Sequence, residues 1–154
     1  MLPKISDEQK HIIEKLDTDN LYIDAIAGSG KSTTVLHIAS HYKDPLILIL
    51  TYSKKLKEEM RHKIKQNNIT NLVSESFHSF GYNYYKTEGG TDLDITNIVT
   101  TNKDPYKIIN FDLIIIDEAQ DLTLDYFKFI KKLYRDNISN TDNLAKLCIM
   151  GDVY

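Results

Sequence analysis

Lys31 and Ser32 close the stretch AIAGSGKS (residues 25–32), which joins a primary amine and a hydroxyl to a glycine-rich turn. These residue types suit phosphate. Gly28 and Gly30 let the backbone turn tightly and aim N–H groups inward, with Ala27 and Ser29 completing the cradle. Lys31 brings a mobile positive charge to the outer phosphates, and Ser32 offers its hydroxyl to Mg²⁺. A helix opening here adds its N-terminal dipole. Ala25 stands where the general pattern has its first glycine. A plain glycine turn before an ordinary helix is the competing reading, and the preceding strand pattern argues against it.

The stretch LIIIDEAQDL (residues 113–122) ends an apolar run abruptly in carboxylates and an amide. At the end of a buried parallel strand, Asp117 can hold the Mg²⁺ that Ser32 touches. Glu118 points elsewhere and can accept a proton from a water attacking the outer phosphate. Gln120 and Asp121 are placed to sense the nucleotide. Taken alone, these residues could simply cap the next helix. Together with the glycine turn they predict a nucleoside triphosphatase.

Apolar runs of strand length recur at residues 21–26, 46–51, 70–75, 111–117 and 145–150. Helical patterns separate them at 6–16, 31–42, 53–65 and 122–134, the first opening with Ser6 and Gln9 at capping-box spacing. In the last, Leu124, Phe127, Ile130, Leu133 and Tyr134 form the expected buried side. Strands alternating with helices predict an α/β fold with a parallel sheet of about five strands. Residues 86–110 break the rhythm and read as a small insertion of loops with one short helix. RDNISNTDN (135–143) reads as a polar surface loop.

The chain has 154 residues, 42% of them hydrophobic and 27% charged, with a net charge of −3, which is ordinary for one soluble domain. This charge does not announce a nucleic-acid binder, yet single strands are held largely by stacking and local basic grooves. Cys148, in an apolar run, reads as core filler with no disulfide framework. No run suggests a membrane span, and an intracellular setting, cellular or viral, is expected.

Five motifs in order resemble the N-terminal motor domain of superfamily 1 DNA helicases of the UvrD/Rep type: AIAGSGKST, LTYSKKLKEEM, SESFHSFG, IIIDEAQD and CIMGDVY. The resemblance implies a RecA-like P-loop fold that uses ATP and Mg²⁺ to move on single-stranded DNA, with RNA an open alternative. It implies adenine reading by Gln9, for which the capping box with Ser6 is an equal alternative. Lys31, Ser32 and Thr33 would contact the nucleotide, Asp117 the metal, Glu118 would be the base, and Gln120 would couple ATP to DNA. Thr51, Tyr52, Ser53 and Lys54, with Ser76, Phe77 and His78, would form the single-strand track. Tyr52 could stack a base; a tyrosine partly packed under the next helix is its bland reading. The basic stretch from Lys54 to Lys65 reads mostly as an exposed helix face balanced by Glu58 and Glu59.

The sequence departs from that pattern in places. Thr33 stands where many relatives carry arginine, which resembles the F-box DNA helicase branch. The segment at about 82–110 is short where relatives carry an accessory domain. The second motor domain, which supplies arginines to the nucleotide, is missing, so weak turnover is expected of these residues alone. A non-motor ATP- or strand-binding regulatory module is the main alternative. A small-molecule kinase is disfavoured, because no arginine-rich lid is visible.

Overall fold

The computed structural model describes residues 2–24, 30–141 and 145–152. Five parallel strands, β1 (Leu21–Asp24), β2 (Ile47–Thr51), β3 (Leu72–Ser76), β4 (Leu113–Ile116) and β5 (Lys146–Gly151), form one sheet in the order β1-β5-β4-β2-β3. Each overlaps a predicted apolar run, with β3 and β5 extending one residue past theirs. The central strands are apolar on both faces because both faces are covered.

Among the described residues six α-helices cover them. On one face α1 (Asp7–Leu16), α2 (Lys31–His41) and α3 (Lys54–Gln66) pack Ile13, Leu16, Ile38 and Met60 against Ile47, Ile49, Ile115 and Cys148. On the other, α4 (Phe77–Tyr85), α5 (Asp92–Thr100) and α6 (Leu124–Thr141) pack Phe80, Ile95, Ile98 and Phe129 against Leu48, Leu50, Ile114 and Ile116. Alternate residues of β2 and β4 thus feed opposite cores, as a two-residue period requires.

Two expectations fail on α6. The helix runs through the segment 135–141, read above as loop. The reason is Asn137, fully buried, whose amide takes the Phe111 N–H at 2.8 Å and donates to the Phe111 carbonyl at 3.2 Å. A polar residue here closes the backbone of another segment rather than marking a turn. The buried face is also rotated. Tyr126, Phe129, Ile130 and Leu133 face the core, while Leu124 and Phe127 are 66% and 50% exposed. The stretch between α4 and β4 contributes the one helix expected of it, α5. Ile95 and Ile98 are fully buried, so this segment belongs to the core rather than hanging from it.

Candidate nucleotide site and strand-end surface

A parallel sheet gathers the C-terminal ends of all its strands on one edge, where ligands sit in open α/β folds. Here that edge holds the tips of β1, β4 and β5 together. Residues 25–29, with Ala27, Gly28 and Ser29 of the expected cradle, lie outside the described residues. Gly30 follows with φ 88°, a left-handed conformation suited to glycine, and nothing lies within 4 Å of where its Cβ would be. Lys31 then opens α2, and its Nζ lies 2.8 Å from Glu118 Oε1. Lys31, at the start of α2, and Glu118, just past β4, thus meet on this edge.

Four side chains define this meeting. Ser32 and Asp117 line one small cavity of about 60 Å³ with Thr51, Glu59 and Lys63. Asp117 has its proton affinity raised, first by burial and then by the negative charge of Glu118. Glu118 is held below the usual glutamate range, chiefly by its bond to Lys31 and further by Gln120. A desolvated carboxyl beside a second carboxylate and a hydroxyl is a seat that a cation relieves, so the donor set fits Mg²⁺. Among the described residues no group of three His, Cys, Asp or Glu side chains forms a metal cage, and Mg²⁺ needs only one or two protein oxygens beside phosphate and water.

The segment 117–121 does not cap α6. Asp117 Oδ1 accepts the Glu118 N–H at 2.9 Å, and Glu118 sits at φ 53° ahead of a single 3₁₀ turn, Ala119–Asp121. Thr123 Oγ1 accepts the Tyr126 N–H instead, at 3.4 Å. The turn lies over the end of β5: Gln120 donates to Glu118 Oε2 at 2.5 Å and accepts the Asp152 N–H at 3.0 Å. A Cβ on Gly151 would lie 2.9 Å from Gln120 Oε1 and 3.1 Å from the Ala119 nitrogen. Gly151 is therefore what lets the acidic turn rest on the neighbouring strand. In the sequence it stands only as part of CIMGDVY, although a glycine ending a strand signals close backbone approach.

Gln9 forms the capping box, one of the two roles expected of it. Its Oε1 closes the capping box with Ser6 at 2.9 Å, and its Nε2 reaches Thr34 Oγ1 on α2 at 3.2 Å. Thr33 is half-buried on the first turn of α2.

The expected strand track divides. Tyr52 is 36% exposed, its ring 5.0 Å from that of Tyr126. Lys54 is exposed, and with Lys57, Ser76, His78, Tyr82 and Glu88 it lines a cleft of about 480 Å³. Ser53 caps α3 through Leu56 N, and Ser76 caps α4 through Ser79 N. Thr51 and Phe77 are each only 1% exposed, so neither offers an outer face to a nucleic-acid strand. Phe77 packs edge-on against Tyr126 inside the core. His78 Nε2 and the Tyr126 hydroxyl both bond Asp92 Oδ1, at 2.9 and 2.5 Å, and this holds the Asp92 carboxyl below its ordinary range. Asp92 and Tyr126 carried no sequence signal for this role, because they come from α5 and α6.

The basic stretch is less solvated than its sequence suggests. Lys57 is buried, Arg61 pairs with buried Glu75 and donates to the Ser74 carbonyl at 2.9 Å, and Lys63 turns toward Ser32.

A family model described as the AAA domain matches residues 9–153. The chain belongs to the AAA domain family. No curated protein matches it. Among solved structures, this AAA domain is similar to Bacteroides sp. Pif1 in complex with ADP-AlF4, with a TM-score of 0.54 and 15% identity over 97% of this chain and 33% of that one. It is likewise similar to Bacteroides Pif1 bound to ssDNA, with a TM-score of 0.56 and 15% identity over 97% and 32% of the two chains. These likenesses establish the RecA-like P-loop fold. They agree with the fold that the five motifs imply. The chain spans about a third of the Pif1 chains it matches.

Proposed function

We propose that this AAA domain is the ATP-binding motor lobe of a superfamily 1 DNA helicase, which hydrolyses ATP to travel on single-stranded DNA together with a second lobe. The observation that carries this reading is the 2.8 Å meeting of Lys31 with Glu118, with Ser32 and Asp117 sharing one cavity beside it. An amine, a hydroxyl and two carboxylates on one sheet edge match the demands of phosphoryl transfer to water.

In this arrangement Lys31 neutralises Glu118 and holds its proton affinity down. A triphosphate in the glycine turn competes for the Lys31 ammonium. Its departure frees Glu118 to orient a water and take its proton. Ser32 and Asp117 would hold Mg²⁺, which when bound neutralises charge on the phosphate oxygens. Gln120 touches both Glu118 and the backbone of Asp152, so a change at the base is felt at the tip of β5. Tyr52 and the cleft of Lys54 and His78 support single-strand binding by stacking and backbone contact. The UvrD/Rep type and the duplex-unwinding outcome rest on the motif resemblance.

The test is ATP turnover by a polypeptide carrying this lobe and its second lobe, with and without single-stranded DNA. DNA-stimulated turnover that falls about 10²–10⁴-fold in Glu118→Gln is expected. Turnover equal with and without DNA contradicts the motor reading and leaves a non-motor nucleotide module.

A further inference from the structure

Lys63 is on the last turn of α3, in a stretch whose charge pattern suggests an outward face, yet its Nζ donates to Ser32 Oγ at 3.0 Å. Both residues line the small cavity that also holds Asp117 and Glu59. Lys31, the other ammonium of the site, is engaged with Glu118. Each half of the metal and phosphate seat thus carries a lysine of its own.

We propose that Lys63 is a resident cation of the metal seat, a positioning residue whose ammonium must leave Ser32 before a divalent ion binds there. This rests on the nucleotide-site reading above. Mg²⁺ sits about 2.0–2.1 Å from an oxygen ligand. An ammonium donating to that same oxygen would stand about 4 Å from the ion, where like charges repel, so the two occupants compete. The long, flexible lysine stem allows the exchange. Glu59 lies one turn earlier on α3 and lines the same cavity. Glutamate four residues before lysine is the favourable helical pairing, so Glu59 receives the departing ammonium. The metal seat is therefore charge-filled without nucleotide, and divalent affinity is set by competition with Lys63.

The test uses Mn²⁺ as the probe, read by its electron paramagnetic resonance signal at saturating ADP on the full chain, so no turnover is needed. Lys63→Met keeps the stem and removes the charge; it should bind Mn²⁺ about three- to tenfold tighter than wild type, the worth of one part-buried charge interaction. Glu59→Gln removes the alternative partner and should bind it weaker by a similar factor. Unchanged or weaker binding in Lys63→Met, with wild type binding Mn²⁺ and ADP normally, overturns the resident-cation proposal and leaves the nucleotide site standing. Failure of wild type to bind ADP overturns both.

Discussion

Glu118 has two jobs that conflict until nucleotide arrives: it is the proposed base, and it is the partner of Lys31. Its depressed proton affinity fixes the sign of a stability effect. The pair stabilises the fold above the ordinary glutamate value of 4.5, and that contribution is lost as pH falls through the lowered value. Lys31 also lowers Asp117, so both carboxylates act in the same direction when the lysine is removed. Lys31→Met should therefore be less stable than wild type at neutral pH, with the gap closing in acid. Urea midpoints measured across the carboxylate range check this. Gly151 offers a second test at this scale. Gly151→Ala must push aside the Gln120 side chain and the Ala119 backbone, which should cost about 1–3 kcal/mol in denaturant unfolding.

At the scale of elements, α5 and α6 decide whether the segment before β4 is core or appendage. Ile98 is buried in the core where α5 packs on α4 and α6, so Ile98→Ala should cost about 2–5 kcal/mol. Phe127→Ala, on the exposed side of α6, should shift stability by no more than about 0.5 kcal/mol. Thermal and urea unfolding of the two variants separate these outcomes. The strands were legible in the sequence because covered parallel strands leave unbroken apolar runs. The Ser6–Gln9 capping box was legible because it is local. The buried face of α6 was not, because Tyr126, Phe127 and Phe129 spread aromatic residues around the helix and periodicity alone cannot choose among them. Its length was misjudged at Asn137, whose role depends on Phe111, distant in sequence. The inward turn of Lys63 was hidden for the same reason: its partner, Ser32, is on another helix.

At the scale of the whole molecule, the strand order does what motif spacing cannot show. β5 lies between β1 and β4, so Gly151 and Asp152 end between the tip of β1 and the acidic tip of β4. The motifs Asp117–Asp121 and Gly151–Asp152 become neighbours through Gln120. On the same edge, the tip of β2 presents Tyr52. If single strands cross this edge, Tyr52→Ala should weaken oligodeoxythymidine binding by about 1–3 kcal/mol, as read by fluorescence anisotropy. Binding unaffected by that change would place the strand elsewhere. The central claim is that this edge is a nucleotide site with Lys31 in it, and calorimetric titration of ADP with Mg²⁺ into wild type and Lys31→Met tests it most directly. The account predicts saturable one-to-one binding that weakens about 10- to 100-fold in the variant, the worth of a charge-assisted phosphate contact. Equal affinity in the two proteins, or no binding to wild type, would contradict it.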